Sequence, residues 1–365
     1  MSGDDLVLVT GATGSIGWPL LESLSGDGVQ VVALVRGRPP ATLPGVRFQT
    51  GDIERPDLGL DRAAVTGLQA RVTTIIHAAA LTRFDAPLDA ARRVNVEGTR
   101  HVLSFADDCP HLMRVAALST IYVAGKRTGV VRERELDHEC GFVNAYEESK
   151  HEAEQLVREA MGRLPVIVLR MSTVLGAEGS GTVRRPAAIH HAMRFLYLSL
   201  LPMMPGSADS PVDLISTDYA VAAVRHFADA GFLPGQTRHI CAAEDAPREA
   251  ELIDLVVGGF MRYRPAWRRR AIEKPAIVAL RTFDLFRESV DAVADPALKA
   301  SVAVLAPFAP QLAFPKCFDD SEAQRSLTAA GLRRSPIRDT IMDVVRYLVE
   351  NNWGDRSRQV ETIIR

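Results

Sequence analysis

Thr10-Gly11-Ala12-Thr13-Gly14-Ser15-Ile16-Gly17 decides the fold of this 365-residue chain. The stretch follows an apolar, β-rich run at residues 6–9 and opens a helical pattern at 18–24. Its glycines recur as GxxGxxG, a relative of the GxGxxG turn that binds dinucleotides. Gly11 permits a tight turn, Gly14 lets the backbone approach a pyrophosphate, and Gly17 lets helix and strand pack closely. Thr13, Ser15 and Ile16 lie between them, at a helix N-terminus whose free N–H groups and positive dipole end suit phosphate.

Outward from that turn, apolar runs at 29–35, 46–49, 72–77, 114–119 and 166–170 read as further strands. Helical periodicity occupies 90–106 and 146–161. The strand runs are continuously apolar, as strands covered on both faces are, and they alternate with helices. The pattern predicts βαβ units and an α/β fold, a doubly wound parallel sheet of the Rossmann type. After Gly176 the texture changes. A turn at 179–181 precedes an apolar helix, a proline break at 202–205, a short element at 212–215, a helix at 217–229 and a strand at 239–241. From Glu249 the pattern is mostly helical.

Hydrophobic residues make up 47% and charged residues 24% of the chain, with net charge -2. That is a globular composition with no electrostatic case for nucleic acid. Cys109, Cys140, Cys241 and Cys317 form no CxxC pair, which points to a reduced set without metal. Asp4-Asp5 runs straight into the first strand without a basic leader, and the most apolar stretch, 195–205, is too short to span a bilayer. A cytoplasmic protein without a transmembrane segment is expected.

The end of the second strand bears on the cofactor. NAD enzymes usually present Asp or Glu there to the ribose hydroxyls. This chain has Val35-Arg36-Gly37-Arg38, and a guanidinium at 36 would pair with a 2′-phosphate, favouring NADPH over NADH. In Gly51-Asp52-Ile53, Asp52 can accept from an adenine amino group while Ile53 packs on the ring; a simple Asp turn is the competing reading.

Tyr146 and Lys150 stand at i and i+4 at the start of a helix, so phenol and ammonium share one face. A carbonyl that receives hydride needs a proton on its oxygen, and a lysine beside a tyrosine is expected to lower the phenol's pKa for that exchange. Upstream, Thr120 ends a strand where its hydroxyl can meet the substrate oxygen, and Asn95 sits on the intervening helix.

With TGATGSIG at 10–17, GDI at 51–53, HAAA at 77–80, NVEGT at 95–99, LSTIYVAG at 118–125 and YEESK at 146–150, the chain resembles the extended short-chain dehydrogenase/reductases over residues 5 to 245. LVR at 34–36, GDIERPDLGL at 51–60 and YEESKHEAE at 146–154 look most like the thioester-reductase and fatty-acyl-reductase group. The resemblance implies that Tyr146 donates the proton, Lys150 also holds the nicotinamide ribose, and Thr120 is the third catalytic hydroxyl. It implies that Ala78, Ala79 and Ala80 line the cofactor, with Asn95 beside it, and that Met171, Ser172 and Val174 approach the nicotinamide. Family members commonly carry proline where this chain has Met171. By the same resemblance, residues 1–180 and 213–245 form the dinucleotide-binding domain, and 181–212 and 246–365 a smaller, mostly helical substrate-binding domain.

The function so implied is NADPH-dependent reduction of an apolar carbonyl, an acyl thioester or a related aldehyde or ketone, carried on CoA or an acyl carrier protein. A hydroxysteroid-type dehydrogenase and a sugar-nucleotide epimerase are the alternatives on the same fold. A dimer is compatible with the sequence. His190-His191 and His77 read as packing residues. The arginines between 262 and 270, beside Tyr263 and Trp267, read as a solvated face, with an acidic carrier, a CoA phosphate or a membrane surface as rival partners. Residues 195–201 read as either core helix or an apolar lid.

Overall fold

The structure is a computed structural model that describes residues 5–265, 274–292 and 295–354. Its strands are β1 (Leu6–Thr10), β2 (Gln30–Val35), β3 (Val46–Thr50), β4 (Thr74–His77), β5 (Arg114–Thr120), β6 (Gly129–Arg132), β7 (Val166–Met171), β8 (Thr173–Gly176), β9 (Met203–Pro205), β10 (Leu214–Ser216), β11 (Thr237–Ile240), β12 (Ala276–Val278) and β13 (Lys316–Asp319). Its helices are α1 (Gly17–Gly26), α2 (Arg62–Gln69), α3 (Leu88–Arg92), α4 (Gly98–Asp107), α5 (Ala145–Ala160), α6 (Ala188–Tyr197), α7 (Thr217–Phe227), α8 (Glu249–Tyr263), α9 (Leu280–Ala292), α10 (Pro296–Leu305), α11 (Ser321–Ala329) and α12 (Ile337–Glu350).

Seven strands form one parallel sheet in the order β3-β2-β1-β4-β5-β7-β11. This is the expected doubly wound Rossmann sheet, and its order reverses between β1 and β4. Every residue of β1, β4 and β7 is buried, because helices cover both faces, whereas the edge strand β3 leaves Arg47 and Thr50 exposed. All strands run the same way, so Thr10, His77 and Thr120 end on one rim of the sheet. That rim is where open α/β sheets hold ligands.

One element departs from its expected form. Residues 90–106 are not one helix: α3 and α4 flank a π-turn at Arg93–Glu97. Asn95 lies within that turn, and such turns concentrate at functional sites.

The chain divides into two compact units. The first holds the seven-stranded sheet and runs to Val174, with Thr217–Glu244 and Lys316–Arg334 added. The return of Lys316–Arg334 differs from the sequence reading, which gave all of 246–365 to a helical domain. The cause is local: β13 pairs in parallel with β6, and Phe318 is buried in a cluster with Ile121, Val131 and Cys241. The second unit comprises the described residues of Leu175–Ser216, of Asp245–Pro315 and of 335–354. Its core gathers Leu196, Leu201, Met204, Leu252, Phe260 and Ile341. The apolar stretch at 195–205 is therefore largely core rather than a lid. Among the described residues, no helix is long and apolar enough to cross a membrane.

Candidate active site

The glycine turn is built against the end of β4. Gly11 has φ +70°, and a Cβ there would lie 2.4 Å from the carbonyl carbon of Ala78. At Gly17 a Cβ would lie 2.2 Å from the Gly11 carbonyl oxygen. Both positions require glycine on steric grounds alone. At Gly14 a Cβ would meet only the Gly11 oxygen, at 3.1 Å, so its outer side is open. Helix α1 has no side-chain cap at Ile16 and no acid in its first turn. Thr13, Gly14, Ser15 and Ile16 thus surround a bare, positively polarised helix end that suits a pyrophosphate.

A directional hydrogen-bond chain ties this turn to its neighbours. Thr99 donates its hydroxyl proton to the Asn95 carbonyl (2.6 Å), so it accepts from His77 Nε2 (3.0 Å). His77 Nδ1 must then accept from the Thr10 hydroxyl (2.8 Å), whose oxygen accepts from the Ala79 N–H (3.3 Å). The chain works only with a neutral imidazole. Burial, reinforced by the Lys150 charge, pushes the His77 pKa down to about 3. Ala78, Ala79 and Ala80 follow, half-buried.

Asn95, 1% exposed, commits its amide to protein. Its Oδ1 accepts from Leu81 N (2.7 Å), and its Nδ2 donates to Leu81 O (3.1 Å) and Ser149 Oγ (2.9 Å). Ser149 in turn donates to the Tyr146 carbonyl (3.1 Å). The residue expected beside the cofactor is a clamp between the loop after β4 and helix α5.

Helix α5 starts with a reciprocal cap. The Asn144 side chain accepts from the Glu147 N–H (3.1 Å), and Glu147 accepts from the Val143 N–H (3.0 Å). This places Tyr146 in the first turn, with Lys150 one turn on. The Tyr146 hydroxyl is hydrogen-bonded to Thr120, whose oxygen also accepts from the Tyr122 N–H (3.2 Å). Phe84 packs edge-on against Tyr146, ring centroids 5.3 Å apart. Lys150 Nζ donates to the Leu118 carbonyl at 2.8 Å.

The electrostatics correct one expectation. Lys150 does not lower the Tyr146 pKa: burial raises it to about 12, opposed by the Thr120 hydrogen bond and assisted by Tyr122 and Glu147. Burial also lowers Lys150 to about 8, with Glu154 pulling the other way. The two residues share a helix face, and for each of them desolvation is the largest influence.

The remaining predicted residues lie along the same rim. Arg36 is exposed and donates to Glu54 at 3.2 Å. Asp52 accepts from the Glu54 N–H (3.1 Å), the turn geometry that competed with adenine binding, and Ile53 is buried against Gly98. Met171 and Ser172 are buried at the end of β7, and Val174 is half-buried on β8. His190, buried in the second unit, accepts from Ala187 N and donates to the Leu175 carbonyl. Arg262 and Arg264 are described, whereas Trp267 and Arg268, Arg269 and Arg270 of the basic run lie outside the described residues.

Sequence reasoning missed the groups beneath α5: Glu154, Arg170 and His239. The spacing Tyr146, Lys150, Glu154 was the available signal, since i+4 steps keep a third residue on the face.

Comparison with known proteins completes the picture. The sequence profile of the NAD-binding male sterility protein family matches residues 41–224, half of the chain. An isonitrile lipopeptide synthase from Streptomyces coeruleorubidus is 32% identical over 202 residues, 49% of this chain and 14% of that protein. The fatty acyl-CoA reductase wat of Drosophila melanogaster is 23% identical over 198 residues, 47% of this chain and 38% of its own length. This chain thus spans well under two thirds of these relatives. Among solved structures, the terminal R domain from the myxalamid PKS-NRPS pathway superposes with TM-score 0.80 at 24% identity, covering 97% of this chain and 92% of that one. A thiolation-reductase di-domain from an archaeal non-ribosomal peptide synthetase gives 0.72 at 17% identity, covering 96% and 76%. The matched region takes in the loop after β4, the Asn95 clamp, Thr120 and the whole of α5. The chain belongs to the NAD-binding male sterility protein family, in the thioester-reductase-like group of the extended short-chain dehydrogenase/reductases.

Proposed function

We propose that this chain is an NADPH-dependent reductase that delivers hydride to an apolar carbonyl, an acyl thioester or a related aldehyde or ketone, presented on CoA or an acyl carrier protein. The observation that carries the reading is the Tyr146 hydroxyl bonded to Thr120, with Lys150 one turn away on the same helix. The carrier follows from relatives named for acyl-CoA reduction and for thiolation-reductase pairing. Arg36 favours the 2′-phosphorylated cofactor. The second unit, with its apolar core and largely helical build, is assigned to the acyl substrate.

When bound, a reduced nicotinamide would supply the hydride. Tyr146, protonated at neutral pH, gives its hydroxyl proton to the oxygen that gains charge as the carbonyl is reduced. Thr120 donates to the phenol oxygen and steadies the phenolate left behind. Lys150, held by the Leu118 carbonyl, is assigned the positive charge that stabilises the developing oxyanion.

Titrating the protein into NADPH tests binding through the nicotinamide fluorescence, and oxidation at 340 nm against acyl-CoAs, aldehydes and ketones tests turnover. Tyr146→Phe is expected to bind NADPH like the parent and to lose roughly 10²- to 10⁴-fold in kcat. No binding of either dinucleotide, or undiminished turnover by Tyr146→Phe, refutes the reading. A tightly held oxidised cofactor with no net turnover indicates an epimerase instead.

A further inference from the structure

Two buried polar chains reach helix α5 from a single four-residue strand, one through a charged side chain and one through a backbone carbonyl. At one end of β13, Lys316 (8% exposed) interacts electrostatically with Glu147 (1% exposed), the residue next to Tyr146. At the other end, the Asp319 carbonyl accepts from His239 Nδ1 at 2.8 Å. His239 Nε2 therefore accepts from Arg170 at 3.1 Å, and Arg170 forks onto Glu154 through Nη2 at 2.7 Å and Nε at 3.1 Å. Ser119 donates to the second Glu154 oxygen at 2.6 Å. Arg170, Glu154 and His239 are all at most 2% exposed. Glu154 stands one helical turn beyond Lys150. Two buried ionic clusters are a costly way to fill a core unless they hold something in place.

We propose that β13 is a positioning strand for the Tyr146–Lys150 pair: Lys316 steadies Glu147 beside Tyr146, and the Asp319–His239–Arg170–Glu154 chain steadies the turn that carries Lys150. The inference rests on the catalytic assignment above and adds four positioning residues to it, Lys316, His239, Arg170 and Glu154. It explains why the chain, after the long excursion through the second unit, returns to the first unit for Lys316–Arg334. A strand serving stability alone would need only its apolar Phe318 and its pairing with β6.

The test measures kcat, NADPH KM, melting temperature and the pH profile of the full chain. Lys316→Met is expected to lower kcat roughly 10- to 100-fold, the cost of a small displacement at the reacting groups, with little change in NADPH KM. Lys316→Arg is expected to restore it. Glu154→Gln strands Arg170 without its carboxylate, so Glu154→Gln with Arg170→Met removes both charges of the fully buried pair and leaves only Arg158, which meets Glu154 at 3.4 Å from a partly exposed position. Among the described residues, the charged and titratable groups that interact with Lys150 are Glu154 and His77. Losing the Glu154 carboxylate removes the anion that supports the Lys150 cation, so the alkaline limb of kcat is expected to move to lower pH in the double variant.

If both variants melt lower but keep the parental kcat and pH limb, β13 is structural and the proposal falls. If they lose activity through KM alone, it also falls. Turnover by Tyr146→Phe would remove the catalytic assignment instead, a result these two variants cannot produce. Inactive Tyr146→Phe with fully active β13 variants would refute only the positioning role.

Discussion

Arg36 shows how far one side chain can be read. It stands just past β2, exposed, with its guanidinium on Glu54 at 3.2 Å and Arg93 on the far side of the same carboxylate at 4.0 Å. Exposed pairs of this kind contribute little to stability, about 0–1 kcal/mol, so a phosphate can displace Glu54 at small cost. Charge-assisted bonds to a 2′-phosphate are worth about 1.5–3 kcal/mol. Arg36→Ala is therefore expected to weaken NADPH roughly 10- to 100-fold while leaving NADH almost unchanged, as read from the two Kd values by fluorescence. Equal losses for both dinucleotides would assign Arg36 to general phosphate attraction and end the preference for NADPH. The same neighbourhood marks a limit of single-residue reading. Asp52 and Ile53 carry a recognisable motif, yet their side chains face a backbone N–H and a glycine, contacts that spacing along the chain does not reveal.

Helix α5 is the element on which the site depends, and its start is set by three residues. Asn144 caps it, Glu147 returns the cap to Val143 N, and Tyr146 falls between them in the first turn. Asn144→Ala is expected to cost about 1 kcal/mol in chemical denaturation and to lower kcat as well, because fraying begins at the turn that holds the phenol. A stability loss with kcat unchanged would mean that Thr120 and Phe84 suffice to hold Tyr146. At this scale the sequence was most legible where a physical period governs the element. The buried strands appear as unbroken apolar runs, and α5 declares itself by its periodicity. The π-turn at Arg93–Glu97 was hidden because its flanks keep helical periodicity while one inserted residue shifts the register. β13 was hidden because Lys316-Cys317-Phe318-Asp319 contains one apolar anchor between charges, and only its partner β6 and the buried Glu147 give those charges a reason.

At the scale of the molecule, histidines in both units are buried in states that cannot accept a proton. His77 donates from Nε2 and accepts at Nδ1, and His239 does the reverse between Asp319 and Arg170. His190 is fixed in the same manner between Ala187 and Leu175. Burial lowers their pKa values to about 3, about 3 and about 4. In the unfolded chain each titrates near 6.5. Between the two values the unfolded state binds more protons, so stability rises with pH and is lost as pH falls from about 6.5 towards 3. Glu133 and Glu249 act in the opposite sense, since burial raises both to about 7 and the folded state keeps their protons between about 4.5 and 7. The two effects partly offset one another above pH 5, and below about 4.5 the histidines act unopposed. The full chain is thus expected to tolerate pH 5.5 and to lose several kcal/mol by pH 4, as read from urea denaturation at constant ionic strength. His77→Gln, which removes one titrating ring, is expected to flatten that slope by about one proton. A parent whose stability is level from pH 6 to 4, or a His77→Gln variant with the parental slope, would show that the imidazole chain can take up a proton without breaking.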